Sequence, residues 1–154
     1  MALFVSTFIN KIDRKGRVSV PASFRAALSQ QSFQGFAAFP SFTAQAIEGY
    51  PSSFLENLAA ASSESYDVFS PELDDINTLI FASAHQISFD PEGRIILPAE
   101  LIAHANITDQ AAFVGRGRTF QIWEPSALKA RHNEARARAM ANPPRITLKS
   151  GSEI

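Results

Sequence analysis

The stretch Asp13-Arg14-Lys15-Gly16-Arg17-Val18-Ser19-Val20-Pro21 is written a second time 77 positions later, counted from Asp13 to Asp90, as Asp90-Pro91-Glu92-Gly93-Arg94-Ile95-Ile96-Leu97-Pro98. Both copies read Asp-x-x-Gly-Arg, then three residues of strand character, then proline and a short amphipathic segment. A repeat at this distance implies two copies of one supersecondary unit, each too small to close a core alone. No other feature of the chain narrows its fold as much.

Within each copy the chain has to reverse at Gly16 and Gly93, where glycine takes a positive φ without a Cβ penalty. Asp13 and Asp90 are placed to accept backbone N–H groups of the turn. Each aspartate also has an arginine four residues on, Arg17 or Arg94. As a loop-stiffening ion pair this contributes little to stability when exposed. As an orienting device it aims the guanidinium at a phosphate or a guanine edge. The two readings are compatible, because a held arginine is a better ligand than a floppy one. Pro21 and Pro98 suit the first turn of a helix, and Phe24, Ala27, Leu28 and Leu101, Ile102, Ala105 follow at helical spacing.

These two blocks, Ile12 to Arg25 and Asp90 to Leu101, resemble the SpoVT/AbrB DNA-binding motif. Their tandem arrangement resembles the MraZ family of transcriptional regulators, and Phe120-Gln121-Ile122-Trp123-Glu124-Pro125 is similar to that family's closing strand and helix start. The resemblance spans residues 1 to about 140. It implies a fold that is mainly β with appended helices (α+β): a pseudo-twofold, swapped-hairpin barrel of AbrB-like double-ψ type built from the two repeats. The chain divides accordingly into a first repeat (1–51), a helical linker (52–82), a second repeat (83–126) and a C-terminal helix with a mobile tail (127–154).

In chain order, alternation over Phe4–Ile12 predicts a strand that the Asp13–Gly16 turn reverses into Arg17–Val20. A helix over 21–29 follows, then strands at 35–40 and 44–48, with Phe39 and Phe42 read as core or interface aromatics. Ser52 reads as the N-cap of a helix over 54–60, residues 61–70 as a Ser-rich linker, and 71–82 as a helix with an Ile76, Leu79, Ile80 stripe. The second unit predicts strands at 85–89, 94–97, 111–115 and 119–123, with a helix at 98–105. A last helix over 126–141 carries Arg131, Arg136 and Arg138, and 145–154 reads as tail. Arg116 and Arg118 flank a glycine hairpin tip and read as solvated charges in preference to phosphate ligands.

The formal net charge is only −1, yet every Lys and Arg lies within 11–25 or 94–149, while Glu48 to Glu92 carries nine acids and no Lys or Arg. A chain split in this way can present a positive edge and a negative body. The absence of cysteine removes disulfides and thiolate metal sites. The first ten residues lack the pattern of a signal peptide, and no apolar run approaches the ~20 residues that span a bilayer. A cytoplasmic, nucleoid-associated protein is expected. His85, His104 and His132 are isolated, and no phosphate loop or nucleophile elbow stands in the chain. The expectation is therefore no enzyme, metal, cofactor, membrane or small-molecule substrate.

The resemblance implies sequence-specific binding of double-stranded DNA. Arg14, Lys15 and Arg17 are the main candidates, with Arg17 as base reader; Lys11 and Arg94 are further contacts, and Asp13, Gly16, Asp90 and Gly93 organise the turns. Arg25 reads equally as a phosphate contact or a surface charge. Pro91 and Glu92 replace Arg14 and Lys15, and Ile102 stands where Arg25 would repeat, so unit one is expected to read and unit two to support. The resemblance further implies a closed ring homo-oligomer binding promoter direct repeats and repressing its own cell-division and cell-wall operon. The competing reading is an antitoxin-like protein-interaction module, with the second unit and final helix as its working surface.

Overall fold

A computed structural model of the chain describes residues 3–148. The elements are β1 (Thr7–Lys11), β2 (Arg17–Ser19), α1 (Ala22–Leu28), β3 (Gly35–Pro40), β4 (Ile47–Tyr50), α2 (Ser52–Ser65), α3 (Pro71–Ile76), β5 (His85–Ser88), β6 (Arg94–Ile96), α4 (Ala99–His104), β7 (Gln110–Gly115), β8 (Phe120–Trp123) and α5 (Pro125–Ala141). Helix α3 runs on into a π-helical turn over Asn77–Phe81.

The fold is mixed α+β and antiparallel. Six strands form one sheet in the order β1-β7-β8-β4-β3-β5, and β2 pairs separately with β6. Exchanging β1 with β5, β2 with β6, β3 with β7 and β4 with β8 reads the same order from the other end. The registers obey this symmetry. Val18 opposite Ile95 is the midpoint of the β2–β6 ribbon, and Glu48 opposite Gln121 is the midpoint of the β4–β8 seam. At that seam Gln121 Nε2 donates to Glu48 Oε2 at 2.9 Å. Each unit's leading strand lies on the other unit's hairpin, β1 on β7 and β5 on β3.

Two expectations change at this point. The eight strands do not close into one hydrogen-bonded barrel among the described residues, since the six-strand sheet is open and the ribbon stands apart. Nor does the Asp13 turn fold β2 back along β1 as a hairpin ladder. Beside an isolated bridge, Ile12 to Val18, and a side-chain bond from Asn10 Nδ2 to Ser19 O at 2.7 Å, the two share no ladder, and β2 pairs with β6 instead. The strand after the turn carries Val18 and Val20 inward, at 1% and 2% exposure, where they meet Ile95 and Leu97 from the other copy.

The core is shared between the units. Phe24 on α1 packs edge-on against Phe4 (5.2 Å) and Phe113 (6.4 Å) and tilted against Phe120 (5.3 Å), while Phe36 meets Phe120 at 4.9 Å. Burying each such ring stabilises by roughly 1.5–3 kcal/mol. Val18, Val20, Leu28, Ile47, Ile95, Leu97, Leu101 and Ile122 belong to the same cluster. A smaller cluster of Ala46, Ala112, Val114 and Trp123 is covered by Leu128 of α5. Cover on both faces explains why β3, β7 and β8 are buried almost throughout instead of alternating.

Helix α2 begins at Ser52, with Pro51 at the N-cap and no side-chain cap, so Ser52 is not the cap expected. It also runs through to Ser65, into the expected linker. Ser62 and Ser63 bond back to the carbonyls of Leu58 and Ala59, which keeps these polar residues inside the helix. Ser70 caps α3, its Oγ accepting Leu73 N–H at 3.3 Å. Strand β4 lies at Ile47–Tyr50, further along than expected, because pairing sets Ala37 opposite Tyr50. Phe39 is core, whereas Phe42 is 62% exposed and Leu79 also faces solvent. Glu124 caps α5, its carboxylate accepting N–H from Ser126 and Ala127 at 3.0 Å each. Residues 145–148 form no helix or strand, and the remainder of the expected tail, 149–154, lies outside the described residues.

Candidate nucleic-acid interface

The two Asp-x-x-Gly-Arg turns are built from the same bonds. In turn one, Asp13 Oδ1 accepts N–H from Lys15 and Arg17, both at 2.9 Å, and Oδ2 accepts Arg17 Nε at 2.7 Å. In turn two, Asp90 Oδ1 accepts N–H from Glu92 and Arg94, both at 2.9 Å, and Oδ2 accepts Arg94 Nε at 2.9 Å. Gly16 and Gly93 close the reversals at φ +83° and +77°, each donating its N–H to the aspartate carbonyl at 3.0 Å. The backbone N–H of Arg17 and then its guanidinium hold the Asp13 carboxyl below its ordinary value. The backbone N–H of Arg94 and its guanidinium do the same for Asp90. Bonded to Asp90, Arg94 is held charged even more firmly than usual. Glu92 adds a second acid to that guanidinium at 3.4 Å.

Each turn is anchored by the other unit. Leu97 N–H donates to Gly16 O at 2.9 Å, and Val20 N–H donates to Gly93 O at 3.2 Å. The turns therefore stand at opposite ends of the β2–β6 ribbon. With Val18 and Ile95 buried, the period of two turns Arg17, Ser19, Arg94 and Ile96 to the other face. Register sets Arg17 opposite Ile96 and Ser19 opposite Arg94, so the two arginines lie diagonally across one face. Lys11, Arg14 and Lys15 are exposed around turn one. The structure thus brings Arg14, Lys15 and Arg17 to one rim, with Lys11 at the adjoining end of β1 and Arg94 across the ribbon.

A family model described as "MraZ protein, putative antitoxin-like" matches residues 80–148. Similar proteins named "Transcriptional regulator MraZ" occur in Rickettsia bellii, 47% identical over 151 residues that cover 97% of this chain and 99% of that protein. The Rickettsia canadensis protein of the same name is 42% identical over 152 residues, covering 99% of this chain and all of its own. That of Rickettsia peacockii is 43% identical over 150 residues, covering 97% and 99%. The chain belongs to the MraZ family.

In this MraZ-family chain the turns differ in what covers them. A Cβ at Gly16 would lie 2.7 Å from Leu97 O and 3.4 Å from Ile102 Cδ1, so turn one is roofed by backbone and an apolar side chain of α4. A Cβ at Gly93 would lie 2.8 Å from Arg25 Cζ and Nε, so turn two is roofed by a guanidinium from α1. Arg25 Nε donates to Val20 O at 3.1 Å. Sequence reasoning left Arg25 undecided; the signal for it was the apolar Ile102 at the corresponding place.

The remaining cations lie elsewhere. Gly117 at the β7–β8 tip pairs with Phe4, and Arg118 lies over the Phe54 ring at 5.8 Å, which ties that tip to α2. On α5, Lys129, Arg136 and Arg138 are exposed, well along the chain from the ribbon. Among the described residues no three His, Asp or Glu gather as a metal site, and no helix is long and apolar enough to cross a membrane.

Proposed function

We propose that this MraZ-family chain is a transcription regulator that binds double-stranded DNA in a sequence-specific way, with turn one and the β2–β6 ribbon as its reading edge. The observation that carries the reading is Arg17, held through Nε by Asp13 at 2.7 Å, in the same turn as the exposed Arg14 and Lys15. A two-stranded antiparallel ribbon fits the major groove of B-DNA, and a bidentate arginine–guanine contact discriminates by roughly 1–3 kcal/mol. Arg14, Lys15 and Lys11 hold backbone phosphates, which positions without specifying sequence. Arg94 is a secondary contact. Asp13, Gly16, Asp90 and Gly93 shape the turns. The names of the relatives support the regulatory part of this reading.

With it go the finer features that the family resemblance implies. The exchange of leading strands between the two repeats is read as a pseudo-twofold swapped-hairpin arrangement of double-ψ type, without a closed hydrogen-bonded barrel, divided at 1–51, 52–82, 83–126 and 127–154. A ring homo-oligomer places several copies of turn one along promoter direct repeats spaced about one helical turn, near 10 bp, and avidity multiplies a modest single contact. The regulated target is the chain's own cell-division and cell-wall operon, under repression, in the cytoplasm at the nucleoid. No enzymatic activity, cofactor, membrane or small-molecule substrate enters the reading.

Binding of wild type and Arg17→Ala to the chain's own upstream DNA, measured across salt, tests it. Wild type binds that DNA over scrambled DNA with a steep salt slope, and the variant loses most of the preference while keeping nonspecific attraction. An unchanged preference in Arg17→Ala removes Arg17 from this role. The family model's "antitoxin-like" description favours a second reading, in which unit two and α5 hold a protein partner. Reversing the charge of Arg136 and Arg138 separates the two, since DNA preference survives while such a partner is lost.

A further inference from the structure

Turn two lacks the cations of turn one but is not left to its own residues. Its loop carries Asp90, Glu92 and Arg94, against Asp13, Arg14, Lys15 and Arg17 in turn one. Onto that loop, from the other unit, comes the Arg25 guanidinium, close enough that a methyl group on Gly93 would collide with it. The contact is held at both ends by one residue: Val20 accepts Arg25 Nε at 3.1 Å and donates its N–H to Gly93 O at 3.2 Å. The groove around the guanidinium is lined by Ala26, Ser29, Gln34, Asp90 and Pro91 and opens to solvent. The carboxylate of Asp90 is already committed to Arg94 and two N–H groups, and among the described residues Arg25 makes no ion pair. Its terminal N–H groups stay available while its stem is fixed. At the corresponding place over turn one stands Ile102, which has no charge to lend.

We infer that Arg25 is the phosphate-binding cation of the second turn, so that the charge needed there is delivered across the pseudo-twofold by helix α1. A guanidinium anchored through Nε keeps its terminal N–H groups for a phosphate oxygen. The ligand is a backbone phosphate of double-stranded DNA, bound without regard to sequence. This rests on the DNA-binding reading above and extends it: turn two, expected mainly to support, adds to the grip a residue that its own repeat does not contain.

The test measures binding of the full chain to a random-sequence duplex over a range of salt, for wild type, Arg25→Gln and Arg25→Lys. Losing one phosphate contact lowers the slope of log K against log salt by about 0.9. Arg25→Gln is expected to show that loss, and Arg25→Lys to keep most of the wild-type slope. A slope in Arg25→Gln equal to wild type, with wild type binding normally, overturns this inference and leaves the Arg17 reading standing; a wild type that binds no duplex overturns both. Should Arg25→Gln fold poorly, arginine-selective phenylglyoxal labelling of the wild type decides. Arg25 is labelled in the free protein and protected by the duplex, and equal labelling with and without DNA overturns the assignment.

Discussion

In the Asp13–Arg17 turn the residues after aspartate are Arg14 and Lys15; in the Asp90–Arg94 turn they are Pro91 and Glu92. The hydrogen bonds around both aspartates agree in partner and nearly in length. Of the two positions that differ, the second donates its backbone N–H to the aspartate in both copies. Only Glu92 adds a side-chain contact, to Arg94 at 3.4 Å, so the bonds that shape the turn do not depend on these side chains. Geometry was thus retained in both copies while charge was not. A duplicated unit separates the part of a motif that folds from the part proposed to bind.

The roofs of the turns give the largest expected contrast. Gly16→Ala sets a Cβ in the left-handed region and against the fixed Leu97 carbonyl, a combined loss of about 2–5 kcal/mol. Gly93→Ala meets the Arg25 side chain, which can swing aside by giving up its Nε bond to Val20, so the loss is expected to be smaller, with a conformational part of about 1–2 kcal/mol. Thermal or urea unfolding of the two variants checks this, and equal losses would mean that Arg25 is as rigid as backbone.

Exchanging loop charges sharpens the comparison further. Pro91→Arg with Glu92→Lys gives turn two the side chains of turn one and is expected to raise affinity for random-sequence DNA. The salt slope steepens by up to about 0.9 for each new phosphate contact. No change in slope would place turn two away from the duplex. The preference for operator over scrambled DNA is expected to stay as it was, because Arg17 is untouched.

The smallest effect concerns pH. Asp13 and Asp90 are both held below the ordinary carboxylate value, first by the N–H of Arg17 and of Arg94 respectively. A carboxyl with a depressed folded value contributes its stability fully above the unfolded value, about 3.9, and loses it as pH falls through the folded value. Asp13→Asn and Asp90→Asn are therefore less stable than wild type at neutral pH, and the gap narrows in acid. Carboxyl carbon chemical shifts followed by NMR should give midpoints below the usual range for both; an ordinary midpoint at either would show that its clamp is open in solution.

Much of this was legible because it is local. Asp13 finds its N–H partners two and four residues on, and a positive φ at Gly16 needs no distant group. The Glu124 cap and the Ser62 and Ser63 back-bonds are equally local, yet they were missed, because serine and glutamate at such positions also suit loops. The partner of β2 was another matter. Val18 alternates as well for a hairpin with β1 as for a ribbon with β6, and only the meeting with Ile95 in a shared core distinguishes them.

The chain's own order of residues determined the two clamped turns, their glycines, the charge on each rim and the family they mark, since turn chemistry is settled within four residues. Tertiary structure alone decided that β1 lies on β7 and β5 on β3, that both aspartate turns hang on one ribbon, and that Arg25 of one unit roofs the turn of the other. Those contacts join residues that lie from 47 positions apart, as Ala38 and His85, to 107, as Thr7 and Val114. Their free energy comes from burying Phe24, Phe36, Phe113 and Phe120 together, a term that no local stretch contains.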